Sequence, residues 1–309
     1  MNRSPAFALP NLHHRMQALV AAAQSESTRT GYASDLRHYR QHGGVLPAKA
    51  RDVARYLTCF AGQLAVSTLR RRLAAIHHWH QQAGHPSPVP LTLVRQTMAG
   101  IQRLHGQPAR QVKALVKADL VALIRFARQQ GGLRASRDAA LLLLGFAAAL
   151  RRSELVGLQV GDLHFHARGL DIHIRRSKTD GAGRGATLFI PWGPRRCCPV
   201  RALQHWLAVA GIREGSLFRA LDRHGHLRGE GLTGQSVALI IKRLATAVWG
   251  EQAARDYAGH SLRAGFCTQA ALLNWPGHWI RQQSRHQSEA TLARYVRPGL
   301  EGMPRRGVL

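Results

Sequence analysis

Residues 137–155 read RDAALLLLGFAAALRRSEL, an apolar run that ends in a cluster of charged side chains. Because the run Ala139–Leu150 is apolar on all sides, we predict a buried helix over Arg137–Leu150. The run is too short to span a bilayer of about 30 Å. An arginine at the edge of such a helix is costly to bury unless it has a partner or faces a cavity. Arg151 and Glu154 are three residues apart, so they can share one helix face as an ion pair.

The pattern changes after this helix. Residues alternate in polarity over Leu170–Arg175 and Ala186–Ile190, and the glycine-rich segment 181–185 lies between them. This pattern predicts a β-hairpin with a basic tip. Helical periodicity then resumes, with predicted helices near residues 200–210, 233–248, 261–273, 278–283 and 288–295.

The sequence before residue 105 reads as entirely helical. Four helices are expected, the first capped by Ser27 and the last over Leu91–Leu104. Gly106 and Pro108 mark a linker between this unit and the rest of the chain. The predicted organisation is a flexible arm at 1–17, an all-α domain at 18–105, a linker at 106–112 and a larger domain at 113–309.

The charge of the chain restricts its partners. There are 44 Lys+Arg against 16 Asp+Glu, a formal net charge of +28, with +10 over residues 1–108 and +18 over 109–309. A charge of this size calls for a polyanion, of which nucleic acid is the common one. A membrane binder would concentrate its charge on one helix or tail. A GC-rich coding sequence would also favour the 39 arginines over the 5 lysines.

Other global features predict a soluble protein of the cytoplasm, associated with the nucleoid. No signal-peptide pattern opens the chain. The four cysteines include no CxxC pair, which fits a reducing compartment. The 18 histidines form clusters without the cysteines or carboxylates of a standard zinc site, so no metal is expected.

Four short segments carry side chains suited to chemistry. Each has an ordinary structural explanation when taken alone: a helix-end ion pair, a solvated basic turn, a structural histidine and a packing tyrosine. The segments are Arg151 with Glu154, Arg175-Arg176 with Lys178, His260 with Arg263, and Arg285-His286 with Tyr295.

Together and in this order, these segments resemble the tyrosine recombinase (phage integrase) family. That family has an Arg followed three residues later by an acidic residue and Leu, a Lys on a β-hairpin, His-x-x-Arg, a His or Trp, and nine residues later a nucleophilic Tyr. Here His286 lies 23 residues after Arg263 and nine before Tyr295. Arg285 departs from the Gly that many members carry. Tyr257 precedes His260, so it is the less favoured nucleophile.

The resemblance implies a mainly α fold with a small antiparallel β-sheet or hairpin in the catalytic domain. It also implies a two-domain DNA clamp, an all-α core-binding domain plus an α+β tyrosine recombinase catalytic domain. Tyr295 would attack phosphorus and form a 3′-phosphotyrosine, while two arginines, Arg151 and Arg263, stabilise charge on the phosphate oxygens. Lys178 is the expected general acid, and His260 would assist proton transfer at Tyr295.

The remaining expectations concern supporting residues and partners. His286 would hydrogen-bond a phosphate oxygen and Glu154 would brace Arg151 or His260. No ATP, metal or other cofactor is implied. The expected partner is double-stranded DNA, held by a homo-tetramer on two recombination sites. Whether accessory DNA-bending proteins also take part is left open by the sequence. The predicted DNA contacts are Arg70, Arg71, Arg72, Arg175 and Arg176.

Three functions follow from these expectations. The leading one is a site-specific DNA recombinase. The alternatives are a type IB topoisomerase-like relaxing enzyme and a catalytically silent DNA-binding protein.

Overall fold

The structure is a computed structural model. It divides the chain into two compact units, Met1–Arg110 and Gln111–Leu309. Three predicted site residues, Arg176, Lys178 and Tyr295, lie outside the residues that the structure describes. The finer domain limits predicted above stay predictions. The described residues are 14–16, 18–19, 23–108, 111–175, 185–286, 288–289 and 292–293.

Four helices make up most of the described part of the first unit: α1 (Glu26–Gln41), α2 (Ala50–Cys59), α3 (Val66–Gln82) and α4 (Thr92–His105). Their apolar faces meet in one core, whose fully buried members are Tyr39, Val53, Leu57, Leu69 and Val94. This burial holds the four helices together, since short helices are marginal on their own.

The first helix begins earlier than predicted. Ser25, not Ser27, is the N-cap, with extended backbone angles, and its Oγ accepts a hydrogen bond from the N–H of Thr28. Either serine satisfies the sequence rule for a cap. Ser27 instead lies in the first turn of α1.

The second unit is built mainly of helices. The helix predicted from the apolar run is α6, and it is buried as expected, although it begins five residues before Arg137 and ends at Ala147. Within this buried helix, Arg137 and Asp138 pair with each other at 2.9 Å. None of the helices within the described ranges is long and apolar enough to cross a membrane. The helices are α5 (Lys117–Gln129), α6 (Gly132–Ala147), α7 (Arg152–Gly157), α8 (Pro199–Ala210), α9 (Gly234–Ala254), α10 (Ser261–Leu272) and α11 (Gly277–Ser284).

The second unit also contains a three-stranded antiparallel sheet. Its strands lie in the order β1 (Leu163–His166), β2 (Gly169–Ile174) and β3 (Ala186–Pro191). The predicted hairpin corresponds to β2 and β3, and β1 extends it on the far side of β2. Ile172 on β2 pairs with Leu163 on β1 and with Leu188 on β3. A second, two-stranded sheet of β4 (Arg219–Leu221) and β5 (Leu227–Gly231) was not predicted.

Close backbone contacts hold α10 in place beside α6. Gly145 on α6 lies so near Leu262 that an added Cβ would come within 2.8 Å of that side chain. On another side of α10, a Cβ on Gly265 would come within 2.0 Å of the carbonyl oxygen of Leu115. The N–H of Leu115 also donates to the carbonyl of Ser261, at 3.0 Å. These contacts with α6 and with the segment around Leu115 therefore fix the position of the start of α10.

Candidate active site

Arg151 begins helix α7 and is tied to Glu154 at both its backbone and its side chain. It occupies the N-cap position with extended backbone angles, and its N–H donates to Oε2 of Glu154 at 2.9 Å. Its Nη1 donates to Oε1 at 2.6 Å. Only 1% of the Glu154 side chain is exposed, so this is a buried, charge-assisted contact.

Arg285 is a second guanidinium on the same carboxylate. Its Nη2 donates to Oε2 of Glu154 at 2.6 Å, and its Nη1 donates to the carbonyl of Gln283 at 3.0 Å. Its own carbonyl accepts a hydrogen bond from Nη2 of Arg151, at 3.3 Å. Sequence reasoning did not place Arg285 in the site. The available signal was its position directly before His286.

Glu154 remains ionised between these two cations. Burial by itself would raise the pKa of its carboxyl group. The charge of Arg285 and the hydrogen bonds from Arg151 outweigh this effect, and the pKa lies below its usual range.

Arg263, on α10, is a third buried guanidinium. It is 3% exposed, and its Nη1 donates to the carbonyl of Ala149 at 2.8 Å. Its Nη2 is buried and has no hydrogen-bond partner among the described residues. Burial, and then the nearby charge of Arg151, lower the pKa of Arg263 to about 10. Buried N–H donors are nearly always hydrogen-bonded, so the unpartnered Nη2 of Arg263 indicates that the site accommodates an acceptor.

His286 lies against the same cluster. Its Nδ1 is 2.7 Å from Oγ of Ser284, and that hydroxyl donates to the carbonyl of Ile280 at 2.6 Å. Both contacts are satisfied when His286 carries its proton on Nδ1. Burial, and then the charges of Arg263, Arg151 and Arg285, together lower the pKa of His286 to about 4. The ring is therefore neutral at pH 7.

Two other predicted residues lie at element boundaries. His260 is exposed at the N-cap of α10, three residues before Arg263. Arg175 follows β2, and its Nε donates to Oδ1 of the buried Asp162 at 2.5 Å. The Arg175 side chain is still 61% exposed. This ion pair joins the end of β2 to Asp162; Lys178 lies in the segment 176–184, outside the described residues.

The predicted DNA contacts in the first unit differ in exposure. Arg70 is exposed, and Arg71 donates two hydrogen bonds to Asp35, at 2.7 and 2.8 Å, with its side chain 56% exposed. Arg72 is buried: its Nη1 donates to the hydroxyl of Tyr56 at 2.6 Å and its Nε lies 3.6 Å from Asp35. The prediction is therefore corrected for Arg72, whose guanidinium stabilises the helix core. It stays a prediction for Arg70 and Arg71.

The charges of the cluster identify the kind of group that it can hold. Arg151 and Arg285 contact the Glu154 carboxylate and the buried Arg263 lies near them, so these four described residues carry a net charge of +2 in a largely buried place. Within the described ranges, no three His, Cys, Asp or Glu side chains come together as a metal site. An excess of buried guanidinium suits an oxyanion such as a phosphate.

Comparison with known proteins now assigns the chain to a family. Residues 113–300 match the model of the phage integrase family. The chain belongs to the phage integrase family. A relative from Selenomonas ruminantium, named integrase/recombinase XerD homolog, is 36% identical over 286 residues, which cover 90% of this chain and 83% of that protein. The chain is thus an enzyme of the tyrosine recombinase class.

Solved structures in this family support the fold. XerH recombinase bound to a palindromic difH substrate has a TM-score of 0.62 at 16% identity, covering 87% of this chain and 76% of that one. A lambda integrase dimer bound to a core site also has a TM-score of 0.62, at 13% identity, covering 100% and 85%. The predicted fold class, mainly α with a small antiparallel sheet in the catalytic part, is confirmed.

Proposed function

We propose that this integrase cleaves and rejoins DNA strands at specific sites through a covalent 3′-phosphotyrosine on Tyr295. The main support for this proposal is a buried hydrogen-bond donor in the candidate active site. The buried Nη2 of Arg263 has no acceptor among the described residues, and it belongs to a cluster with an excess of positive charge. A non-bridging oxygen of a phosphodiester supplies the acceptor, and the guanidiniums of Arg151 and Arg263 stabilise the charge that develops there.

The proposed steps keep atoms and charges balanced. The Tyr295 oxygen bonds to phosphorus, the bond from phosphorus to the 5′ oxygen breaks, and Lys178 gives that oxygen a proton. His260 takes the proton of the Tyr295 hydroxyl. His286 hydrogen-bonds a phosphate oxygen, and Glu154 holds Arg151. The phosphotyrosine conserves the energy of the broken bond, so rejoining needs no ATP and no metal ion.

The proposed substrate is double-stranded DNA, gripped by both units as a clamp. Arg70, Arg71, Arg175 and Arg176 are proposed to contact the phosphates, and the net charge of +28 supports this partner. Affinity is expected to fall steeply as salt rises, because each neutralised phosphate releases counterions. The proposed assembly is a tetramer on two sites, with accessory DNA-bending proteins where a site requires them, at the nucleoid.

The test is covalent trapping on nicked suicide duplexes taken from DNA that flanks the gene. Wild-type protein in EDTA is expected to form a slow-migrating adduct, and Tyr295→Phe is expected to bind the same duplex without forming one. Tyr257→Phe is the matched control, because Tyr257 is the other tyrosine of the second unit and is buried, with its hydroxyl 3.3 Å from Asp119. An adduct with Tyr295→Phe, or no adduct with wild type on a duplex that it binds, would contradict the proposal.

A second assay separates recombination from relaxation. Two labelled duplexes that each carry the mapped site are expected to exchange strands. Relaxation of supercoiled DNA without exchange at any site would instead point to a topoisomerase.

A further inference from the structure

We infer that Arg285 is a positioning residue for Arg151, and that it acts through Glu154. The inference deepens the proposed function and rests on it. Arg285 lies 131 residues from Glu154 in the chain, yet its guanidinium reaches the carboxylate at 2.6 Å. The three residues form a closed ring of hydrogen bonds, since Arg151 also donates to the backbone carbonyl of Arg285.

The ring divides the carboxylate between two cations. Oε1 of Glu154 accepts from Nη1 of Arg151, while Oε2 accepts from Nη2 of Arg285 and from the backbone N–H of Arg151. Without Arg285, Oε2 would be available to the Arg151 side chain, and a two-oxygen, two-nitrogen pair is the geometry that Arg and carboxylate favour. Such a pair would turn the Arg151 guanidinium towards Glu154. Arg285 keeps it from doing so.

The donors of Arg285 are used inside the protein. Nη2 is taken by Glu154, and Nη1 by the carbonyls of Gln283, at 3.0 Å, and Ala148, at 3.4 Å. Nε has no partner among the described residues but is itself buried. The side chain is 12% exposed. Both terminal nitrogens of Arg285 are thus engaged inside the protein, unlike Nη2 of Arg263, which favours a role through Glu154 over direct contact with phosphate.

The backbone at this position offers a clean experiment. Arg285 ends α11 with φ of 56°, in the left-handed region that glycine adopts most readily. Arg285→Gly therefore removes the guanidinium and suits the local backbone. Arg285→Lys is the conservative counterpart, because it restores a positive charge beside Glu154 without the planar fork of donors.

The main measurement is single-turnover formation of the covalent adduct on the suicide duplex, with enzyme in excess and DNA affinity measured separately. We expect Arg285→Gly to lower the rate by ~100-fold, the size of effect known for a misplaced catalytic group, with DNA affinity little changed. Arg285→Lys should recover part of the rate. Methylguanidinium added to Arg285→Gly should also recover part of it, and it should leave the wild-type rate unchanged.

A double variant separates action through Glu154 from direct action on DNA. If Arg285 acts through Glu154, then Arg285→Gly combined with Glu154→Gln is no slower than Glu154→Gln alone. Losses that multiply would overturn the inference in favour of an independent contact. An unchanged rate in Arg285→Gly would overturn it as well.

A readout without activity keeps the inference testable if wild type forms no adduct. In 15N-arginine-labelled protein, the Arg151 side-chain signal, assigned from its loss in Arg151→Lys, is expected to show restricted rotation in wild type and faster rotation in Arg285→Gly. Equal rotation in the two proteins would overturn the inference. Failure of wild-type trapping alone would count against the proposed function and not against this contact.

Discussion

Glu154→Gln should destabilise the second unit, because it removes the only negative charge of the Arg151–Glu154–Arg285 ring. The amide keeps the shape of the carboxylate but retains one acceptor and gains an NH2 group. That NH2 group must face a guanidinium, donor against donor. Two buried cations are then left with one neutral oxygen between them.

The structure allows the size of the effect to be estimated. Glu154 accepts two guanidinium hydrogen bonds, each at 2.6 Å, and one backbone hydrogen bond at 2.9 Å. A hydrogen bond to a charged group contributes about 1.5–3 kcal/mol, and loss of one partner of a buried ion pair costs about 3–5 kcal/mol. We therefore expect a loss of about 3–5 kcal/mol in the free energy of unfolding, with the loss confined to the second unit.

Urea unfolding followed by tryptophan fluorescence measures this loss selectively. Five of the six tryptophans lie in Gln111–Leu309, so their emission reports mainly on the second unit. Glu230→Gln is the matched control, since Glu230 is an exposed carboxylate on β5. A surface substitution of this kind changes the free energy of unfolding by no more than about 0.5 kcal/mol. Sulfate at constant ionic strength should restore Glu154→Gln more than it stabilises wild type or Glu230→Gln, because it replaces the lost anion.

Two results would refute this reasoning. A destabilisation of Glu154→Gln below about 1 kcal/mol would show that the ring contributes little to stability. Equal stabilisation of all three proteins by sulfate would show only the general effect of an excluded salt, and the buried charge excess would not bind anions.

Three further predictions concern packing and protonation. Gly265→Ala should cost about 3 kcal/mol or more in the urea assay, because its Cβ would come within 2.0 Å of the carbonyl oxygen of Leu115. Gly100→Ala should raise the stability of the first unit by about 0.5–1 kcal/mol in thermal melts, since Gly100 lies inside α4 with open space around it. The pKa of His286 is lowered to about 4, so the unfolded state binds its proton first. His286 should thus contribute a loss of at most about 3 kcal/mol to wild type as pH falls from 6.5 to 4, so His286→Gln should lose less stability than wild type over this range.

The sequence predicted the local parts of this site well. Arg151 and Glu154 are three residues apart at the end of an apolar run, and they do pair, although Arg151 is the N-cap and the contact is a capping box instead of a pair on one helix face. The hairpin of β2 and β3 followed from alternation and glycine content. The strand β1 was not predicted, although its four residues, LHFH, alternate in polarity. The observed caps and ends of helices differ from the predicted ones by a few residues. For the first cap the reason is that the neighbouring serines Ser25 and Ser27 both satisfy the sequence rule.

The long-range parts could not be read from the sequence. Arg72 belongs to a basic run and was expected to face DNA, but Asp35 and Tyr56 hold it inside the helix core. Arg285 was noted only as an unusual residue, and its partner Glu154 is 131 residues away. In a chain with 39 arginines, local pattern does not show which guanidinium will meet a given carboxylate.

The charge balance around three of the buried carboxylates, Asp35, Asp138 and Glu154, separates structural arginines from those of the site. Asp35 is held by Arg71 and Arg72, and Asp138 is likewise held by two arginines, Arg137 and Arg243. Each of these groups carries a net charge of +1 and has one arginine side chain largely exposed to solvent.

The group at Glu154 is different, because both of its arginines are largely buried and the buried Arg263 lies beside them. Arg151 and Arg285 are 13% and 12% exposed, and Arg263 has no carboxylate partner within the described residues and one unsatisfied donor. A protein does not stabilise itself by adding a buried, unpaired cation. The excess charge at Glu154 therefore supports the phosphate ligand proposed above, whereas the groups at Asp35 and Asp138 each include an arginine that is exposed to solvent.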